Sequence, residues 1–395
     1  MLTPLRRLTA ILIAALPLMA ARPAQAQTES ILHTFNGFNG GGPTEGLTPD
    51  GEGNFYGVTV WGGSFAAGNV YKLSQSGSGV WNETVLYIFT GGADGCNPDS
   101  KLVFDAEGNL YGTANSGGAY GRGVVFELSP EATAATGWKE KVLHSFVGGS
   151  DGSNPYGNLI FDGAGNLYGT VDDWLHPRFQ AVFELSPSAG EWTERVIYYT
   201  KLNGAGLTMD RAGNIYGAGL KEVFKLSRDD DDHWDATVIH TFKGAGDGNQ
   251  PCGTPIFDKA GNLYGTTYAG GVNNLGTVYK LTRAGHGEWK ERILYSFQGG
   301  SDDGSNPVAG IVFDGSGNIY GSTTTGGSIW GGGQGTIFEL APSDRGQYEE
   351  RVLWSFDGTD GSSPDGVVIL DNAGNIYGTA IGGSLGAGVV FQITP

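Results

Sequence analysis

The groups in this chain that could do chemistry are six histidines, two cysteines and a scatter of acidic and aromatic residues that break an otherwise regular pattern. The densest cluster is Asp172-Asp173-Trp174-Leu175-His176-Pro177-Arg178. An imidazole beside two carboxylates suits acid/base work or metal binding, but an adjacent Pro and Arg on a loop define no site, and no catalytic residue is assigned. His33, His144 and His240 recur at one repeat position and read as structural, while His233 and His286 lie in the links before that strand. No Ser-His-Asp or zinc-ligand spacing is present, and the Gly-x-Gly stretches follow the repeat rather than a phosphate loop. Trp61, Trp174 and Trp330 stand in loops where other copies have no Trp, and Tyr120 and Tyr268 stand in similar loops. Such aromatics either stack on sugar rings or anchor a protein partner, or they fold down as plugs over glycine-rich loops. Trp61, Tyr120, Asp172, Asp173, Trp174, His176, Tyr268 and Trp330 are therefore the candidate ligand-binding residues.

Acidic loops offer a second chemistry. Asp94, Asp151, Asp247, Asp303 and Asp360 fall in matching Asp-Gly segments. Calcium takes six to eight oxygen ligands, but the spacing matches no EF-hand loop and Asp-Gly is also an ordinary turn pair, so no cofactor or metal is assigned and calcium stays the open alternative. Cys96 and Cys252 occupy corresponding loops three units apart, which leaves a disulfide open.

What must position these groups is a repeat. Gly-Asn-(Phe/Leu/Ile)-Tyr-Gly opens at Gly53, Gly108, Gly165, Gly213, Gly261, Gly317 and Gly374, in steps of 48 to 57 residues. A period near 50 with no helical periodicity points to a ring or solenoid of like β units. Within one unit, Trp138 to Phe146 alternates apolar and polar residues as a half-exposed strand does. Leu159 to Phe161, Leu167 to Thr170 and Ala181 to Leu185 give three more strands around an Asp-Gly-Ala-Gly-Asn turn. Four short strands per unit describe a propeller blade. Ile31 to Phe35 matches the last strand of a unit, and Gly388 to Pro395 matches the third. The start supplies the strand the end lacks, which closes a ring and removes its open edge. The expectation is an all-β, seven-bladed propeller of 28 strands, with eight blades or an open form as the alternatives. Trp81, Trp138, Trp192, Trp234, Trp289 and Tyr348 share one position and should pack between blades.

Residues 1–26 carry Arg6 and Arg7, an apolar run from Leu8 to Ala21 and Ala24-Gln25-Ala26, the order of a secretory signal peptide. The expectation is a single propeller domain over 27–395, secreted or periplasmic, without stable membrane insertion. Loss of Arg6, Arg7 and Arg22 with the signal leaves 20 basic against 41 acidic residues, a net charge of about −21. So acidic a surface repels phosphate backbones and anionic membranes, which makes nucleic acid a poor partner.

The unit Gly-Asn-Leu-Tyr-Gly-Thr-Thr-x-x-Gly-Gly followed by Gly-Thr-Val-(Phe/Tyr)-x-Leu, as at 261–281 and 317–340, resembles the GloVer tandem repeat of secreted, choice-of-anchor proteins. The resemblance covers nearly all of the mature chain. It implies a C-terminal surface-anchoring segment in many members, whereas this sequence ends inside a strand, and it implies no settled activity. A Gly-Gly after the second strand and a Trp before the fourth are shared with kelch repeats. The functional expectation is a binding scaffold that engages an extracellular polysaccharide or a surface protein through its loop-rich face; the alternative is a polysaccharide lyase or hydrolase at the channel mouth. Oligomeric state is not specified by the sequence.

Overall fold

A computed structural model describes residues 27–172, 180–201, 206–327, 333–343 and 347–394. Seven antiparallel sheets follow one another around a ring, each with its first strand innermost and its fourth outermost, and a short pair of Gly304–Ser305 with Thr325–Gly326 extends blade 6. Blade 3 is typical: Pro155–Phe161, Leu167–Val171, Ala181–Ser188 and Glu191–Tyr199. Among the described residues the only helical segments are two 3-10 turns, Gly149–Asp151 and Gly285–Gly287. The ring closes as the repeats imply. Ile369–Leu370, Ile376–Ala380 and Val389–Thr394 form three strands of blade 7, and Thr28–Thr34 completes it, pairing from Thr28 against Thr394 to Thr34 against Val389 with one register shift between Ile31 and His33.

The repeated motif has a physical cause at each letter. The turn Asp takes the main-chain N–H groups of the following residues and the Asn side chain, as Asp162 does with Ala164, Asn166 and the amide Nδ2 of Asn166 at 2.8–2.9 Å. The motif Tyr then donates its hydroxyl to the same carboxylate, 3.0 Å from Tyr168 to Asp162. Burial alone would raise these Asp groups, but the donated hydrogen bonds outweigh it and hold them below the usual carboxylate range. The final Gly makes room for an aromatic side chain from the neighbouring third strand. A Cβ at Gly57, Gly112, Gly169, Gly217, Gly265, Gly321 or Gly378 would lie 2.4–2.7 Å from Tyr71, Phe126, Phe183, Phe224, Tyr279, Phe338 or Phe391.

Those rings are the centre of the core. Seven apolar clusters are present, one at each junction between successive blades, and each draws side chains from both sides. The outer-strand Trp packs on the Tyr of the preceding blade, as Trp138 does on Tyr56 and Trp289 on Tyr216. No blade has a core of its own, so the blades depend on one another for burial.

The innermost strands depart from regular pairing at one shared place. In blades 1 and 2 they split, into Gly41–Pro43 with Thr48–Pro49 and Cys96–Pro98 with Val103–Phe104. In blades 3 and 5 the register slips between Tyr156 and Ile160 and between Cys252 and Ile256. The interruption follows a Pro in each case, which cannot donate to the ladder. It turns a few residues per blade away from the sheet and toward the central channel.

Candidate functional site

The channel is where the blades stop being equivalent. At each of the three positions just after the inner-strand Pro, small or uncharged residues predominate, but blade 1 carries Glu45, blade 2 Asp99 and Lys101, blade 3 Tyr156 and blade 7 Asp365. A cavity of about 300 Å³ at this level is lined by residues from six blades, among them Glu45, Tyr156, Thr254, Tyr268 and Asp365. Gln250 and Tyr268 lie toward the face that carries the loops between outer and inner strands, so the cavity opens on the loop-rich side. Part of its wall is closed by blade 4. A Cβ at Gly206 would collide with Asn158 Oδ1 and Thr254 Oγ1; because Gly206 has none, Thr254 donates to Asn158 across it at 2.9 Å.

Burial and mutual charge act on this group as they do on the outer-strand Glu residues. Glu45, Asp99, Lys101, Tyr156 and Asp365 are each only partly exposed, and the space they face is a narrow channel walled by protein, so they are desolvated almost as in an interior. Burial, then the charges of Asp99 and Asp365, push the Glu45 carboxyl well above its usual range against the opposing effects of the Tyr156 hydroxyl and Lys101. Burial and Asp99 push Asp365 up to about 7. Burial raises Asp99, although Thr44 donates to its Oδ1 at 2.7 Å. Lys101 is lowered by burial, with Glu45 opposing, and the Tyr156 hydroxyl is raised by the Glu45 charge and by burial. Asp365 Oδ1 is buried and has no hydrogen-bond partner. Chemically this is a set of carboxyls whose affinity for protons burial raises, and they outnumber the one cation beside them.

The residues marked from sequence distribute unevenly. Tyr268 lines the cavity and is half exposed. Trp61 lies over its own blade, its ring atoms 2.4–2.6 Å from where a Cβ of Gly41 would stand, and the residue is 42 % exposed. Tyr120 is 62 % exposed on the second-to-third-strand loop of blade 2 and is not among the residues lining the cavity. Asp172 follows the second strand of blade 3, donates its N–H to Asn154 O and accepts from Gln180 Nε2. Asp173, Trp174, His176 and Trp330 lie outside the described residues. Sequence reasoning passed over Glu45, Asp99, Lys101, Tyr156 and Asp365; the available signal was a charged or aromatic residue at a position where sister copies are small or aliphatic.

The Asp-Gly loops are engaged by the chain itself. Asp94 accepts from Thr90 N, Thr90 Oγ1 and the Tyr87 hydroxyl. Asp303 accepts from Gln298 N and Tyr295, and Asp360 from Trp354 Nε1, at 2.7–2.8 Å. The Asn that follows in several copies adopts positive φ and donates to the preceding blade, as Asn306 does to Tyr268 O at 3.0 Å. Those features, which suggested oxygen ligands for calcium, tie blade to blade. His144, Asp151 and Glu194 come close enough to share an ion, but Tyr87, Asp94 and Glu140 or Tyr295, Asp303 and Glu350 take the same places in other blades, so the trio is a structural latch with a His in the aromatic position. Cys96 and Cys252 are both free. Their loops correspond but their registers differ: Cys96 precedes the Pro and Cys252 follows it. Cys252 donates to Pro307 O at 3.0 Å, and burial pushes its thiol up to about 12.

Fold and channel define a seven-bladed β-propeller with an acidic site at the mouth of its central channel. The chain belongs to the Gloeobacter/Verrucomicrobia repeat family, which matches residues 20–222 and 208–395. No curated protein matches it. Among solved structures it is similar to a streptogramin B lyase, at 14 % identity and TM-score 0.57 over 93 % of this chain and 97 % of that one. It is also similar to virginiamycin B lyase from Staphylococcus aureus, at 14 % and 0.56 over 93 % and 99 %, and to a protein from Lactobacillus plantarum, at 12 % and 0.54 over 89 % and 100 %. At such identities these likenesses establish the fold alone. Among the described residues no helix is long and apolar enough to cross a membrane.

Proposed function

We propose that this propeller is a binding scaffold that takes part of an extracellular polysaccharide into its channel mouth from the loop-rich face. The observation that carries the reading is the cavity, whose lining brings the half-exposed Tyr268 ring and the Thr254 hydroxyl of blade 5 together with the Asp365 carboxyl of blade 7. An aromatic face beside several hydrogen-bonding groups suits a ligand that is apolar on its ring faces and hydroxylated at its edges. Trp61 and Tyr120, both exposed, would extend the contact along the rim, and Trp174 and Trp330 stay candidate ligand-binding residues from the sequence. The test is a glycan panel run over the purified protein with and without calcium, each bound glycan being followed for bond cleavage. Binding without turnover, weakened about tenfold by Tyr268→Ala, is the expected result. Silence across the panel, or unchanged binding by Tyr268→Ala, rejects the reading.

A second reading rests on the raised carboxyls. Glu45 and Asp365, both raised by burial and the latter to about 7, are suited to exchange a proton as an acid/base pair. Such a pair would serve a lyase or hydrolase acting on the same ligand, and two of the similar folds are lyases. Cleavage products that vanish in Asp365→Asn would move this reading ahead of simple binding.

A further inference from the structure

We propose that the channel site selects ligands carrying a primary ammonium group, and so, resting on the glycan reading above, amino sugars with a free amine over their N-acetylated or neutral counterparts. Two carboxyls, Glu45 and Asp365, line the cavity, and the charges of Asp99 and of Lys101, the single cation beside them among the described residues, act on Glu45. Asp365 Oδ1 is buried with no donor, and an unpaired buried acceptor is the kind of group a ligand completes.

Backbone geometry supports a functional placement. Glu45 holds φ 60°, in the left-handed region, where blades 3 and 5 use Gly157 and Gly253 at φ 74° and 67°. Blade 1 accepts strain at this position to set a carboxylate where those blades have no side chain. Strained residues of this kind gather where function outweighs local stability. A metal ion fits less well. Among the described residues the only group of three acidic or imidazole side chains close enough to share one ion is the His144 latch, and the channel carboxyls are not part of it. An ammonium carries three donors that can reach separate acceptors.

Calorimetric titration with a glucosamine tetrasaccharide, its fully N-acetylated form, a neutral glucose tetrasaccharide and calcium chloride tests this. Two variants accompany the parent: Asp365→Asn, and Glu45→Gly, which installs the residue of blades 3 and 5 and relieves the backbone, so loss of binding cannot be blamed on misfolding if its melting temperature holds or rises. The expected result is a preference of about tenfold or more for the free amine, lost in both variants. Equal binding of all three oligosaccharides overturns the amine proposal and leaves the glycan reading standing. Failure of all three overturns both. Calcium binding that Asp365→Asn abolishes, with no amine preference, replaces the proposal by a metal site.

Discussion

Two of the seven ring-crossing aromatics carry a hydroxyl that five copies do without. Tyr71 and Tyr279 are fully buried, and neither hydroxyl has a hydrogen-bond partner. Phe126, Phe183, Phe224, Phe338 and Phe391 occupy the same register against the same motif Gly. Tyr71→Phe and Tyr279→Phe therefore delete an unsatisfied polar atom from a site whose shape already accepts Phe. An unpartnered buried hydroxyl costs about 1–3 kcal/mol, part of which is returned to the small void the substitution leaves, so a gain of about 1–2 kcal/mol per site is expected. The sites lie in blades 1 and 5 and share no partner, so the double variant should gain about 2–4 kcal/mol. With roughly 2.1 cal/mol/K per residue, about 370 residues unfold with an entropy near 0.8 kcal/mol/K, and the double variant should melt about 3–5 °C higher. Calorimetry with urea titration of the parent, both single variants and the double variant measures this, and Phe126→Tyr is the reciprocal control, expected to lower stability by a similar amount. A double variant no more stable than the parent refutes the reasoning, since it would mean that the hydroxyls are satisfied in solution.

Stability should also depend on pH with a definite sign. Burial and a facing Asp raise Glu29, Glu140 and Glu291 to about 7 and Glu194 and Glu350 to about 8; groups raised on folding give stability that is complete below the unfolded value and is lost as pH climbs from there through 7–8. The turn Asp groups are lowered and act oppositely, losing stability as pH falls through their folded values, so the melting temperature should peak at about pH 4–5 and fall toward about pH 8, with Glu350→Gln flattening the alkaline side by on the order of 1 kcal/mol after solvent screening. A melting temperature that stays flat or rises across that alkaline range contradicts this. Gly169→Ala, whose Cβ would meet Phe183 at 2.5 Å and Leu159 at 2.7 Å, should cost about 1–3 kcal/mol by overpacking, readable as a drop in urea midpoint at unchanged slope.

The architecture is legible in the sequence because each repeated letter has a local physical role. Asp162 makes a turn, Tyr168 braces it, and Gly169 admits Phe183. Strand count per blade and the closure by Thr28–Thr34 follow from comparing the copies with one another. The channel site is far less legible. Glu45, Asp99, Tyr156 and Asp365 stand 54, 57 and 209 residues apart in chain order, by subtraction of their positions, and only closure of the ring brings blades 1, 2, 3 and 7 to a shared axis. Attention to loops found Tyr268 but assigned the binding face to rim aromatics, because the interrupted inner strands read as ordinary short strands and hid the residues they turn inward.

The copies also serve as internal controls that separate scaffold from site. Five junctions pair an Asp from the connecting loop with a Glu from an outer strand of the adjoining blade. At the junction of blades 7 and 1 the Asp is replaced by Asn39, and its amide donates to Glu83 at 2.8 Å. At the junction of blades 3 and 4 the connecting stretch 200–206 has no Asp in its sequence, and Ala236 stands where the Glu would be. The two partners are present together or missing together, and where the Asp is changed its replacement still bonds the Glu, which is the behaviour of a contact that holds neighbouring blades. Channel residues behave otherwise. Glu45 has no acidic counterpart in any sister blade, and the position of Asp365 is acidic again only at Asp99, being Thr44, Tyr156, Cys252 and Val308 in blades 1, 3, 5 and 6. Closure of the ring requires none of these side chains. A Glu in a conformation that blades 3 and 5 give to Gly and an Asp oxygen without a donor are local costs, and a ligand that supplies donors to both is what would offset them.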